Sequence, residues 1–194
     1  MGELTQSQVG RRRDAMVSLP FRTAGSRILA GAWLDFAGDR IAPARRDIDP
    51  ARLVKVLPNI VILQYAEPET IRFRLAGTDF FTTFDREMTG QSYLELIPPD
   101  QREATRQRLF TIVRHPCGLL AVLGKEGSER DRDRLESFGL PLRNEAGEIE
   151  YTIHHADYLE PVRDIERISM DRIRAINAAW VDIGRGVPGQ PAPL

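Results

Sequence analysis

The residue types able to do acid–base, nucleophilic or metal chemistry are few in this chain: three histidines, one cysteine and carboxylates with no evident pairing. His154 and His155 are neighbours in Glu150 to Leu159, a stretch that reads as a strand. Consecutive side chains of a strand leave on opposite faces, so these two imidazoles cannot close on one metal ion. One of them can face a pocket, as a haem ligand or another ligand contact; an ordinary strand or surface histidine is the plain alternative. His115, beside Pro116 at an expected helix end, reads as a charge partner for that terminus. Cys117 has no second thiol for a disulfide and no cluster for zinc or iron–sulfur, so a buried, inert cysteine is expected. Leu75-Ala-Gly-Thr and Val122-Leu-Gly-Lys-Glu-Gly lack the glycine spacing of a phosphate loop or a nucleophile elbow. No residue is assigned a catalytic role. The rival reading, a small α+β pocket enzyme of the isomerase or dehydratase kind, would need a pair such as Asp79 with His155 in a deep pocket.

Other clusters point to binding. Phe80, Phe81 and Phe84 share one helical face and either fill a core or line a cavity, with Tyr93, Phe138, Tyr151 and His155 as candidate lining. The run Glu129 to Glu136 alternates charges ahead of a strand; it reads as a solvated hairpin, with a partner-docking or anion-binding edge as the alternative. Arg11-Arg12-Arg13 reads as a solvated arm on a mobile terminus or as a phosphate or lipid contact.

The elements that must position these residues follow from periodicity. Ile28, Leu29, Ala32, Trp33 and Phe36 recur at helical spacing from Ser26 to Phe36, with Ser26 as N-cap and Gly38 just beyond the end. Trp33 and Phe36 must bury against the domain's own sheet or a second copy of the chain. Pro43 and Pro50 make Ala42 to Pro50 a connector, and a short helix from Arg52 to Leu57 stops at Pro58. Ile60 to Tyr65 and Ile71 to Leu75 are two strands at hairpin spacing, the second alternating Ile71, Phe73 and Leu75 with Arg72 and Arg74. Thr78 can cap a helix through Phe84, Gly90 breaks the chain, and Gln101 to Arg114 carries the stripe Leu109, Ile112, Val113. Cys117 to Lys125, Arg134 to Leu142 and Glu150 to Leu159 complete five strands, with a turn at Asn144 to Gly147. Ile165, Ile168, Ile173, Ile176, Ala179 and Trp180 suit a C-terminal amphipathic helix, followed by a Gly/Pro-rich tail.

At 194 residues, with 42 % hydrophobic and 28 % charged residues, the chain has the composition of a globular domain with extensions. A net charge of -1 gives no reason to expect nucleic acid or an anionic membrane as partner. No run of about 18 apolar residues and no secretory leader pattern occurs, so the cytoplasm is expected.

The stretch from Ala42 to Gly90 resembles the small bacterial proteins of the fifth PAS subfamily. The resemblance rests on Arg46-Asp-Ile-Asp-Pro50, the short helix ending at Leu57-Pro58, Phe73-Arg-Leu-Ala-Gly-Thr78, and Arg86-Glu-Met-Thr-Gly90, where Met88 replaces the usual leucine. It implies an α+β PAS fold over residues 27–160: a five-stranded antiparallel sheet with helices on one face, in the order strand, strand, helices, three strands. It places Gly77 and Gly90 where turns leave and re-enter the sheet region. The surroundings of Cys117, Arg114-His-Pro-Cys-Gly, do not match the motif with which light-sensing PAS relatives form a flavin adduct, so no photoreceptor is expected. The expected organisation is a flexible or partly helical leader (1–25), the PAS domain (26–160), and a C-terminal helix with tail (161–194). The implied function is a non-catalytic sensor or interaction module, binding a small molecule or a signalling protein and dimerising through the Ser26 to Phe36 helix. No cofactor is identified, and a pure dimerisation scaffold with a filled core is the remaining alternative.

Overall fold

The computed structural model describes residues 3–66, 70–80, 87–125, 127–160 and 173–189. Its centre is an antiparallel sheet of β1 (Ile60–Ala66), β2 (Thr70–Ala76), β3 (Gly118–Lys125), β4 (Arg134–Arg143), β5 (Ile149–Tyr158) and β6 (Ile173–Val181), in the order β2-β1-β5-β4-β3-β6. The five predicted strands are all present. β1 and β2 form the first hairpin; β3, β4 and β5 form a meander that closes against β1, with Ile60 opposite His155 and Leu63 opposite Thr152.

β6 replaces part of the expected C-terminal helix. Ile173 to Trp180 has apolar residues at helical spacing, but the segment pairs along β3 from Gly118↔Val181 to Lys125↔Ile173. Val122 pairs with Asn177 and Leu123 with Ala175, so Ile176 is an extra, bulged residue. The bulge breaks the two-residue alternation that marks a strand, and the unpaired edge of β3 outweighs a weak helical pattern. Ile165 and Ile168 lie outside the described residues.

The leader is also ordered over part of its length. α1 (Gln6–Val17) starts with a capping box in which Thr5 Oγ1 accepts from Gln8 N–H (3.3 Å) while the Gln8 side chain accepts from Thr5 N–H (2.8 Å). Met16 and Leu4 are buried in the same core as the sheet. The middle arginine of the basic run is not a solvated arm: Arg12 is 2 % exposed, lies over the Trp33 ring, and donates to the carbonyls of Gly38 and Arg40. A cation there answers the orphan carbonyls at the C-terminus of α2 (Ala24–Ala37).

Helices cover both faces of the sheet. On the inner face, α3 (Arg102–Arg114) packs Leu109, Phe110 and Ile112 against Val61, Leu63, Tyr65, Ile71 and Phe73. On the outer face, α2 packs Leu29, Ala30 and Trp33 against Ile60, Ile62, Phe138, Leu140 and Ile153. Trp33 is fully buried by its own sheet, its indole N–H donating to Pro141 O at 3.0 Å, and Phe36 is half-buried under the Arg52 guanidinium. The α2 N-cap is Thr23, earlier than the expected Ser26, because Thr23 Oγ1 accepts from Ser26 N–H.

Two glycines meet the expectation set for them. Gly77 lies so close to Pro58 that a Cβ would come 2.2 Å from its carbonyl oxygen, and Gly90 has φ +84°. The turn at Gly90 sends residues 90–93 along the outer edge of β2, with Phe73 N–H donating to Gln91 O and Tyr93 N–H to Ile71 O. That edge is thereby closed to other chains.

Candidate functional site: two faces of one strand

β5 carries both histidines, and alternation sends them to opposite faces. His154 is on the inner face, opposite Val61 of β1. Tyr65 Oη and Thr152 Oγ1 are 3.1 Å apart, and Thr152 Oγ1 is 2.7 Å from His154 Nε2. The imidazole lies over Gly139 of β4, where a Cβ would come 2.3 Å from His154 Cε1. Burial pushes His154 down to about 4, so it is neutral at physiological pH. Burial likewise raises Tyr65, the Thr152 bond opposing it, and pushes Tyr93 up to about 12 with the Arg108 charge opposing it. Tyr65 meets Phe110 edge-on with ring centres 5.3 Å apart, and Phe73 and Tyr93 are 5.5 Å apart. This is a neutral polar chain, Tyr65–Thr152–His154, set into an aromatic and aliphatic wall. Such a wall can give hydrogen bonds to an uncharged or weakly polar ligand.

His155 is on the outer face, under the N-terminal turn of α2. Its Nδ1 is 3.3 Å from Ser26 Oγ, and a Cβ at Gly25 would come 2.0 Å from Nε2, so only glycine lets the helix approach the ring. Beside it, Glu136 is 1 % exposed and accepts from Arg22 N–H (2.7 Å), Thr23 N–H (3.1 Å) and Thr23 Oγ1 (2.7 Å). A carboxylate at a helix N-terminus satisfies orphan N–H groups and complements the macrodipole. Burial works to raise Glu136, but those hydrogen bonds bring it below the ordinary carboxylate value. Burial pushes His155 down to about 4, with the Glu136 charge opposing. α2 thus carries a buried anion at its start and the buried Arg12 cation at its end.

The predicted lining residues are divided by this geometry. Tyr93 and the half-buried Phe80 pack on the inner core, whereas Phe138, Tyr151 and His155 belong to the outer face. Phe81 and Phe84 lie outside the described residues. The inner-face histidine is His154, and Thr152 and Tyr65 join it, two residues that sequence reasoning missed. Register was the available signal: Thr152 and His154 share a face, opposite to the apolar Ile153. Glu136 was read within a solvated charged run, yet it keeps the parity of Phe138, Leu140 and Leu142, all outer-core residues.

Asp79 and His155 do not form an acid–base pair. His155 meets Ser26 and the Glu136 charge, whereas the Asp79 charge acts on Asp157. Cys117 is buried, and burial, then the Asp182 charge, pushes its thiol up to about 12, the inert state expected of it. His115 caps the end of α3, its Nε2 3.2 Å from Gly186 O. Among the described residues no cluster of His, Cys, Asp or Glu could hold a metal ion, and no helix is long and apolar enough to cross a membrane.

Several solved structures align with part of this chain. A PAS domain of a protein from Colwellia psychrerythraea aligns at 12 % identity and TM-score 0.39, over 56 % of this chain and 95 % of that one. A domain of a putative light and redox sensing histidine kinase from Haloarcula marismortui aligns at 14 % identity and TM-score 0.36, over 57 % and 98 %. A sensory box histidine kinase/response regulator from Burkholderia thailandensis aligns at 17 % identity and TM-score 0.34, over 57 % and 84 %. No curated protein matches the chain. The family model described as PAS domain, of the fifth PAS subfamily, matches residues 21–153, from Phe21 through the first half of β5, leaving α1, His154, His155 and β6 outside. This chain belongs to the PAS domain family.

Proposed function

We propose that this chain is a non-catalytic sensor or interaction module of bacterial signal transduction, working in the cytoplasm and taking a small ligand or a protein partner. Family membership supports the sensory class, since PAS domains are generally sensory and not catalytic. The single observation that favours sensing on the inner face is the buried Tyr65–Thr152–His154 chain. Buried polar groups belong in an apolar wall where they fix a ligand's orientation or a core's register. The ligand reading assigns the first role to them.

Self-association through the Ser26 to Phe36 helix belongs to the same proposal, with a restriction. Leu29 and Trp33 are engaged by the chain's own sheet, so a second copy would meet the outward residues Arg27, Gly31 and Asp35. Light scattering at micromolar concentration tests it: a dimer is expected, and a monomer removes this part.

Native mass spectrometry, with absorbance from the near-ultraviolet through the visible, tests the sensory reading on protein purified without denaturation. A co-purifying mass or chromophore is the expected result. A clean apo protein that also takes up nothing from a metabolite library would leave the interaction module alone.

A further inference from the structure

α2 and the connector after it cover most of the outer face but leave one corner of the sheet open, and that corner is basic. Across β2, β1 and β5 the register sets Arg72 opposite Gln64 and Gln64 opposite Tyr151, so the three share a face. The connector adds an arginine from above. Arg143 N–H donates to Pro43 O (2.9 Å), Arg143 Nε to Ala42 O (2.8 Å), and Ala44 bridges to Arg143. This anchorage puts the Arg45 guanidinium over the Tyr151 ring, 5.4 Å from its centre. Burial, then the Glu150 charge and hydrogen bond, raise the Tyr151 phenol, and the positive charges of Arg45 and Arg74 oppose them. Arg45, Arg72 and Arg74 are exposed, as is Leu75 between the last of them and the strand end.

The one carboxylate of the corner, Glu150, lies within it, where the Arg45 charge acts on it. Glu150 accepts from the amides of Gln64 (2.6 Å) and Asn144 (2.8 Å). Among the described residues, none of Arg45, Arg72 and Arg74 has a carboxylate within ion-pair distance, whereas Arg22, Arg40 and Arg52 each do. In a chain of net charge -1, three exposed guanidiniums against one carboxylate form a local positive patch, with Arg45 and Arg74 acting on the half-exposed Tyr151 and Arg72 donating to Gly90 O at 3.3 Å. Guanidiniums bind carboxylates in a bidentate fork, and arginine and tyrosine are the residue types that carry binding energy at interfaces.

We propose that the corner formed by Arg45, Arg72, Arg74 and Tyr151 docks an acidic segment of a partner protein, its carboxylates meeting the three guanidiniums and its stem lying on Tyr151 and Leu75. Protein carboxylates fit better than nucleic acid, because a duplex footprint neutralises roughly six to ten phosphates and the corner offers half that charge or less. The proposal rests on the interaction-module reading and names the chemistry of its partner.

Fluorescence anisotropy with a labelled ten-residue polyglutamate peptide tests it on the full chain. Binding is expected that weakens as NaCl rises from about 50 mM to about 500 mM. Reversing the corner with Arg45→Glu, Arg72→Glu and Arg74→Glu is expected to weaken it roughly tenfold or more. Arg11→Glu, on the exposed side of α1, is expected to leave it within about twofold. Should the triple variant not fold, Arg74→Glu alone is read instead, since among the described residues that exposed side chain makes no hydrogen bond or ion pair. Equal binding by the wild type and the reversal, no binding at low salt, or tighter binding of a ten-nucleotide single strand than of the peptide would each overturn the proposal. A co-purifying small molecule without peptide binding overturns the docking site and leaves the sensory reading. Peptide binding by an apo protein does the reverse.

Discussion

His154 and His155 are one peptide bond apart, and both are held neutral by burial at about 4, yet they serve different parts of the molecule. His154 belongs to a polar chain on the face that α3 covers; His155 lies under α2 on the other face, next to Glu136. The two rings have the same chemistry and the same strand. What separates them is the two-residue period of β5, which gives one to the candidate sensing face and one to the helix that closes the opposite face. A buried titratable group therefore identifies a site only once its register is known.

Acid should act on both faces together, and this is the largest effect expected. Each histidine's folded value, about 4, lies below its unfolded 6.5. The stability its neutral form contributes is complete above the unfolded value and is lost as pH falls from there toward the folded value. Between about pH 7 and pH 5 the two would together remove on the order of 4 kcal/mol. Urea unfolding against pH measures this, and His154→Gln and His155→Gln should each flatten the slope by about half. Glu136, whose folded value is lowered, adds a loss as pH falls through and below the ordinary carboxylate range, so the decline should continue there while the histidine contribution levels off.

Glu136→Ala sharpens the comparison, because it strikes one face only. It strands the Arg22 and Thr23 N–H groups at the buried start of α2 and should destabilise the fold by about 3 kcal/mol. Limited trypsin digestion should show earlier cleavage at Arg22 and Arg27 than at Arg108 or Arg114 on α3.

The two glycines that admit the imidazoles make a matched pair. Gly25→Ala drives a methyl into His155 and Gly139→Ala drives one into His154. Overpacking costs about 1 to 3 kcal/mol, and alanine's helical preference returns up to about 1 kcal/mol at Gly25. A net loss of about 1 to 2 kcal/mol is expected for Gly25→Ala and slightly more for Gly139→Ala. Histidine NMR signals should move for His155 in the first and His154 in the second; movement of both in either variant would mean that the faces are coupled through β5. The smallest effect belongs to Tyr65→Phe, which removes one hydrogen bond to Thr152 and should cost about 1 kcal/mol by urea unfolding.

The sheet was legible in the sequence because its signals are local. Alternation in Ile71 to Leu75, the Asn144 to Gly147 turn and the break at Gly77 each fix a strand end within a few residues, and the described strands begin or end there. β6 was illegible because the bulge at Ile176 hides its alternation and its partner, β3, lies about fifty residues away in sequence. Order in the leader was hidden in Arg12, whose burial depends on carbonyls of Gly38 and Arg40 that only a folded α2 presents. Likewise the division of the aromatic and histidine candidates between faces depends on pairing register. The sequence of β5 alone says that His154 and His155 diverge, but not which of them turns toward α3.

Native mass spectrometry of the wild type beside His154→Ala and His155→Ala, with any co-purified or library-derived ligand, tests most directly which face senses. The account predicts that the ligand mass stays with the wild type and with His155→Ala and is lost from His154→Ala. Loss from His155→Ala with retention by His154→Ala would contradict it and place the sensing site under α2.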